Sequence, residues 1–127
     1  MFTIHRVDQT LRACYTSATM IEDKILEKIR TGGKVRVTER VKEGGKERVS
    51  NFEGLVIARK HGKEAGATFT VRAILHEVSV EKIYPINSPM ITKVQVLSSP
   101  KKVHRSKLYF VRNLSSKKLR EKMGTKI

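Results

Sequence analysis

The sequence contains a single cysteine, Cys14, which cannot form a disulfide within the chain. A reducing compartment is therefore the expected environment. The sequence also lacks any apolar run close to the ~18 residues of a membrane-spanning helix, so no membrane span is predicted. The motifs of P-loop nucleotide hydrolases, of serine hydrolases and of zinc metalloproteases are missing as well. These absences exclude several common enzyme classes.

No metal site is expected, because the four histidines are scattered along the chain and Cys14 has no partner cysteine. Three carboxylates could in principle form the metal site of a nuclease, namely Glu53, Glu77 and Glu81. We interpret them instead as solvent-facing strand residues paired with nearby Lys or Arg. The sequence therefore predicts a protein that is not an enzyme and that uses no cofactor, metal or small-molecule substrate.

Acidic residues are also scarce: 12 Asp and Glu stand against 27 Lys and Arg, a net charge of +15 over 127 residues. Self-repulsion on this scale destabilises a compact state unless a polyanion neutralises it. Nucleic acid and an anionic membrane are the candidate polyanions, and we expect nucleic acid and no membrane partner. The charge is concentrated at the C-terminus, where residues 100–127 hold ten Lys and Arg against Glu121 alone.

A short helix is predicted over residues 20–30, since Thr19 and Glu22 form a T-x-x-E capping box before an apolar stripe of isoleucines and Leu26. Gly32-Gly33 ends this helix. From Val35 the apolar period becomes two, which predicts strands over residues 35–41, 49–60, 68–75, 78–85 and 91–97. Gly44-Gly45 predicts a tight hairpin turn, and Gly54 a bulge or bend inside the second strand.

Five short strands with closely spaced turns indicate a mainly β protein, either a barrel or a sandwich. We divide the chain into an N-terminal extension (1–18), a short helix (19–31), a β domain (33–99) and a basic C-terminal arm (100–127). The first twenty residues faintly resemble a mitochondrial presequence, but we expect an uncleaved extension.

Cations on loops can reach phosphate groups without burying their charge, and Arg makes a planar, bidentate match to phosphate oxygens. Twelve basic residues are predicted to bind nucleic acid on these grounds. They are Arg59, Lys60 and Lys63 at a strand end and loop, Arg72 in the third strand, and Lys101, Lys102, His104, Arg105, Lys107, Arg112, Lys117 and Lys118 in the arm.

The arm also carries apolar residues, which a purely electrostatic tail would not need. Leu108, Val111 and Leu114 recur at helical spacing and are predicted to anchor the arm to the β domain while the cations face outward. We interpret Tyr109 and Phe110 as part of the same packing, with stacking on an unpaired base as the alternative. The arm is predicted to be positioned rather than loose.

The segments "ERVSNFEGLVIAR", "TFTVR", "VEKIYPINSP" and "SKLYFVR" occur in an order that resembles the bacterial large-subunit ribosomal protein nineteen family. The resemblance runs from about Gly33 to Asn113. It implies an SH3-like small β-barrel with a basic arm, located in a cytoplasmic rather than an organellar ribosome. It further implies three partners: large-subunit rRNA, neighbouring large-subunit ribosomal protein fourteen, and small-subunit rRNA at an inter-subunit bridge.

The sequence departs from this family in places. The stretch before the first strand reads "IRTGGK" where a "FRPGD"-like turn is common, and "HEVSVE" (76–81) stands where a glycine-rich "GVGVE" is common. Residues 1–18 have no counterpart in the resemblance. The alternative function is a free-standing single-stranded RNA-binding or chaperone module on a small barrel. Such a module needs exposed aromatic residues on adjacent strands, whereas Phe52, Phe69 and Tyr84 are interpreted as core.

Overall fold

The structure is a computed structural model that describes residue 21 and residues 23–123. Its elements follow one another along the chain as a short helix, five strands, a 3-10 helix and a second α-helix. They are α1 (Asp23–Lys28), β1 (Lys34–Glu43), β2 (Lys46–Lys60), β3 (Thr68–Leu75), β4 (Val78–Pro85), β5 (Ile91–Ser98), η1 (Tyr109–Asn113) and α2 (Ser116–Met123). No helix in this part of the chain has the length and apolar character needed to cross a membrane.

The five strands form one antiparallel sheet in the order β4-β3-β2-β1-β5. The predicted strand bounds are confirmed to within three residues, the largest difference being the start of β2. Gly44 and Gly45 adopt φ angles of 53° and 80° between Glu43 and Lys46, which pair with each other. Both positive angles are those of the predicted tight hairpin turn.

The sheet is not closed by hydrogen bonds, because β4 and β5 lie at its two edges and are not paired with each other among the described residues. The prediction of a mainly β protein is thus confirmed, whereas strand pairing does not show a barrel. All five strands nevertheless send side chains into one apolar cluster, the main core, which includes Val37, Phe52, Phe69, Tyr84 and Ile91. A sheet whose two edges share one core must curl around it.

The middle of β2 is buried on both faces of the sheet. Residues 54–58 are all buried, and a register shift between Val56 and Ala58 places an extra residue, Ile57, opposite β3. Val56 therefore joins the main core, while Leu55, Ile57 and Ala58 belong to a second apolar cluster. This is why the stretch reads as a continuous apolar run rather than an alternating one.

Gly54 lies where β2 and β3 approach each other closely. A Cβ atom at this position would be 2.4 Å from the carbonyl oxygen of Arg72 and 2.8 Å from a methyl group of Val71. Any larger residue would push β3 away, so the glycine is required by the crossing of the strands. The predicted bulge exists, but it lies at Ile57 rather than at Gly54.

Helix α1 covers part of the main core with Leu26 and the following Ile29, and both are buried. It is shorter than the predicted span of residues 20–30, and the predicted capping box of Thr19 and Glu22 lies outside the described residues, as do His5 and Cys14. The turn after α1 is tied to β2: Gly32 N donates to Val56 O at 2.8 Å, and Val56 N donates to Gly33 O at 2.9 Å.

Candidate nucleic-acid interface

The basic arm is anchored on the face of β2 that the main core does not use. Leu108, Val111 and Leu119 are 1%, 3% and 5% exposed, and they pack with Leu55, Ile57 and Ala58 to form the second apolar cluster, here called the arm cluster. The backbone N–H of Leu108 donates to Ile57 O at 2.9 Å. The prediction of a positioned arm is confirmed, with Leu114 half-buried at its edge.

One anchor was missed by the sequence reading. Leu119 of α2 was not assigned a role, although Leu119 and Met123 stand four residues apart in an otherwise polar helix. Residues at this spacing lie on one face of a helix. Met123 packs at the edge of the arm cluster, so this pair was the available signal for α2.

An acidic residue of β4 holds the arm at a second point. The Glu81 carboxylate accepts hydrogen bonds from Arg72 Nη1 at 2.7 Å, and from Arg112 Nε and Nη2 at 2.9 and 2.8 Å. The hydrogen bond from Arg112 is the main cause that holds the pKa of Glu81 below its ordinary value, and Arg72 lowers it further. Glu81 therefore holds the guanidinium groups of Arg72 and Arg112 close to each other. Both arginines were predicted to bind phosphate.

Arg59 has a role that its charge did not suggest. Its Nη1 donates to the carbonyl oxygens of Leu26 and Ile29 at 2.7 and 3.0 Å, and its Nη2 donates to Gly62 O at 3.1 Å. The guanidinium thus binds the carbonyl groups at the C-terminal end of α1, where a cation is favoured by the helix dipole. Within the structure Arg59 joins α1 to β2.

The other predicted cations lie on the surface. Eight of them are exposed and form no ion pair with another described residue: Lys60, Lys101, Lys102, His104, Arg105, Lys107, Lys117 and Lys118. Lys63 is also exposed, but its Nζ lies 3.1 Å from a carboxylate oxygen of Glu27. Exposed cations without a protein partner are the ones that can exchange condensed counterions for phosphate contacts at little desolvation cost.

The fold brings the separate basic segments together. A hollow of about 450 Å³ lies between the end of α1, the loop after β2 and the start of the arm, and Arg30, Arg59, Lys101 and Lys102 are among its lining residues. Arg30 was not among the predicted residues, although it is a basic residue at the end of the predicted helix and was visible in the sequence. Two of the basic groups predicted from sequence, the end of β2 and the start of the arm, thus contribute to one surface.

The two aromatic residues of the arm have different surroundings. Tyr109 is 41% exposed and lies under the Arg112 guanidinium, whose Cζ is 5.0 Å from the ring centroid. Phe110 is half-buried at the edge of the arm cluster. The packing interpretation is confirmed for Phe110, whereas Tyr109 belongs to neither apolar cluster.

Glu53 and Glu81 are strand residues paired with Lys or Arg, as predicted, whereas the prediction is wrong for Glu77, which lies in the turn between β3 and β4. Glu53 pairs with Arg36 and Lys34, and Glu81 pairs with the two arginines described above. Within the described part of the chain, no three His, Cys, Asp or Glu side chains lie together in a group that could hold a metal ion.

A curled antiparallel sheet, an anchored arm and a surface of exposed cations together define a small structural protein with a strongly basic surface. Comparison with known proteins gives the family. The family model described as "Ribosomal protein L19" matches residues 12–123. The chain belongs to this family of structural, non-enzymatic ribosomal proteins, and its location is the ribosome in the cytoplasm. The match to the family model begins at residue 12, within the N-terminal extension (residues 1–18) that had no counterpart in the resemblance read from the sequence.

Two curated relatives show the extent of the similarity. The chain is 43% identical over 99 residues to "Large ribosomal subunit protein bL19" of Thermus thermophilus, an alignment that covers 77% of this chain and 66% of the relative. It is 47% identical over 97 residues to the protein of the same name from Mycoplasma mobile, an alignment that covers 76% of this chain and 82% of that relative.

Proposed function

We propose that the chain is a structural constituent of the large ribosomal subunit that binds large-subunit rRNA through its arm and the adjoining loop. The observation that carries this proposal is the anchored arm. Its apolar residues are buried on β2, while eight predicted cations remain exposed without ion pairs to described residues. Fixing cations on a folded surface lowers the entropy cost of binding, because the protein side of the interface is already ordered.

The finer assignments follow from the resemblance described in the sequence analysis. We infer a position near the subunit interface, contact with large-subunit ribosomal protein fourteen, and a contribution to a bridge with small-subunit rRNA. We also infer that the curled sheet is an SH3-like barrel. The single core shared by all five strands supports the barrel, although its edges are not joined by strand pairing.

The test is sedimentation of the native protein from a lysate on a sucrose gradient. We expect nearly all of it to sediment with large subunits and with whole ribosomes at moderate salt, and to leave them at high salt, since phosphate contacts weaken as counterion concentration rises. Recovery in the slowly sedimenting fractions, with RNA of mixed origin, would instead support the free-standing RNA-binding module.

Contact with protein fourteen and with small-subunit rRNA needs a separate measurement. Chemical cross-linking in purified large subunits and in whole ribosomes should give protein cross-links in both samples. Cross-links to small-subunit rRNA should appear in whole ribosomes alone. If the protein cross-links only to rRNA far from the subunit interface, the bridge assignment is wrong while the large-subunit assignment stands.

A further inference from the structure

A pocket of about 520 Å³ lies between the first part of the arm, η1 and the end of α2. This volume falls in the range of small-molecule sites, about 300–1,000 Å³. Its floor is apolar, because Val103, Leu108 and Leu114 line it. All three belong to the arm cluster or pack against it, so the floor is fixed by the same contacts that anchor the arm.

The rim of the pocket is basic. Lys102, Arg105 and Lys122 line it, and no Asp or Glu is among the lining residues in the described part of the chain. Phe110 also lines the pocket, and two of these cations lie near its ring: Arg105 Cζ is 5.6 Å and Lys122 Nζ is 5.5 Å from the ring centroid. An aromatic ring and a guanidinium plane both present flat faces on which another planar group can stack.

The combination of an apolar, aromatic floor and a cationic rim indicates which kind of ligand fits the pocket. A phosphate group alone would use the rim and leave the apolar floor empty, whereas an apolar side chain of a protein partner would not need three cations. A nucleobase uses both parts, because its faces stack on an aromatic ring or a guanidinium while the phosphates on either side meet the cations. Asn113 also lines the pocket, and its amide can donate to and accept from the edge of a base.

We propose that this pocket receives one unpaired base of the bound RNA, stacked against Phe110 and the Arg105 guanidinium. The inference rests on the proposed function, since it names the part of the RNA that the arm holds. It also assigns different roles to two adjacent aromatic residues: Phe110 contacts the base, while the exposed Tyr109 lies outside the pocket.

The test compares two RNA pentamers that carry the same number of phosphates. One has a single adenine at the centre and four abasic ribose residues, and the other is abasic throughout. Binding to the full chain is measured by fluorescence anisotropy at low salt. We expect the pentamer with the base to bind roughly 5- to 150-fold more tightly, the factor that corresponds to the ~1–3 kcal/mol of one stacked base.

Two matched variants test whether the base contacts Phe110 rather than Tyr109. Phe110→Leu keeps an apolar side chain in the arm cluster and should bring the affinity ratio of the two pentamers close to one, with binding of the abasic pentamer unchanged. Tyr109→Leu should leave the ratio as in the wild-type protein. Circular dichroism and thermal unfolding of both variants show whether the fold is retained.

Several outcomes would overturn the proposal. They are equal binding of the two pentamers by the wild-type chain, no binding of either, and loss of the ratio in Tyr109→Leu instead of Phe110→Leu. Incorporation of the chain into large subunits is followed in parallel. If incorporation is normal while the two pentamers bind equally, the base pocket is refuted and the ribosomal function stands. If incorporation itself fails, the proposed function is refuted.

Discussion

Arg59 and Lys60 are adjacent basic residues with different surroundings. The bulge at Ile57 changes the alternation of β2, so that Arg59 pairs with Phe69, a main-core residue, and its guanidinium reaches the end of α1. Lys60 is exposed and makes no ion pair with a described residue. Arg59 therefore stabilises the fold, whereas the positive charge of Lys60 remains available to bind RNA.

We predict that Arg59→Gln lowers the free energy of unfolding by about 1–3 kcal/mol, because charge-assisted hydrogen bonds to three carbonyl groups are lost. Lys60→Gln is the matched control and should change it by less than about 0.5 kcal/mol. The control should instead flatten the dependence of log affinity for RNA on log salt, by up to ~0.9 for one lost phosphate contact. Chemical denaturation and salt titrations measure both quantities. Equal stability of the two variants would contradict the role of Arg59.

The two tight hairpin turns differ in the residues that occupy positive φ. In the turn between β1 and β2 these are Gly44 and Gly45, whereas His76 and Glu77 adopt φ angles of 47° and 69° between β3 and β4. A side chain at positive φ costs roughly 1–2 kcal/mol, although polar residues pay less than branched ones. The "HEVSVE" departure from the glycine-rich family pattern thus stores strain at an exposed turn.

We predict that His76→Asn combined with Glu77→Gly raises the free energy of unfolding by about 1 kcal/mol, since Asn-Gly suits this turn. The reverse exchange, Gly44→His with Gly45→Glu, should lower it by a similar amount. There is open space around both glycines, so conformation rather than collision decides the outcome. Thermal unfolding of the two variants is the measurement, and a shift in the same direction for both would refute the strain at residues 76 and 77.

At the scale of elements, η1 is the part of the arm that joins it to the sheet. Replacing Leu108 and Val111 together by Ser should release the arm, because burial of each side chain contributes roughly 1.5–3 kcal/mol. All cations remain in this variant. We nevertheless expect a marked loss of incorporation into large subunits, since the chain must then order itself on the RNA.

The control for this variant is Leu108→Met with Val111→Ile, which keeps apolar side chains of similar volume and should incorporate as the wild-type protein does. Amide hydrogen exchange over residues 108–123 shows whether the arm is docked. Normal incorporation of the Ser variant with an undocked arm would mean that charge alone is sufficient.

The Glu81 contacts make arm docking sensitive to acid. The pKa of this carboxyl lies below its ordinary value of 4.5 in the folded protein, chiefly because of the hydrogen bond from Arg112. Its contribution to stability is therefore complete above about pH 4.5 and is lost as the pH falls through the lowered pKa. We expect exchange protection of residues 109–113 to fall in that acidic range while the main-core strands stay protected.

Glu81→Gln should show the weakened docking already at neutral pH and should remove most of the pH dependence. It leaves Arg72, whose side chain is 15% exposed, without its carboxylate partner, at a cost of about 1–3 kcal/mol. Glu121→Gln, a substitution of an exposed arm carboxylate, is the matched control and should keep the wild-type pH profile. An unchanged profile in Glu81→Gln would show that another group carries the acid sensitivity.

At the scale of the whole molecule, we expect the basic surfaces of the arm and of the β1–β2 hairpin to differ in their contribution to RNA binding. We predict that changing Lys101, Lys107, Lys117 and Lys118 to Gln lowers the slope of log affinity against log salt by up to ~3.6, at ~0.7–0.9 per lost phosphate contact. Neutralising Lys42, Lys46 and Arg48 of the β1–β2 hairpin should have a smaller effect per charge, because Lys42 and Arg48 face glutamates. Equal slopes per charge would mean that the net charge, rather than the arm, determines binding.

The sequence alone was sufficient to predict the strands and to predict that apolar residues anchor the arm. The alternating valines of β1 and the paired glycines of the first hairpin are local signals, and Leu108 and Val111 stand out among cations. The role of Arg59 was not predictable, because it depends on a bulge that only pairing with β3 creates. The Glu81–Arg112 contact joins residues from separate elements, and no local pattern indicates it.

Because β2 is buried on both faces, its two faces become covered at different times while the chain is being synthesised. Leu55 and Ile57 leave the translating ribosome well before Leu108, Val111 and Leu119, which cover them. During that interval the sheet can form around its main core, but one apolar face stays uncovered, and such faces promote aggregation or recruit chaperones. A chain whose synthesis stops before residue 108 therefore lacks the anchored part of its basic arm and displays the apolar surface by which quality control can detect it.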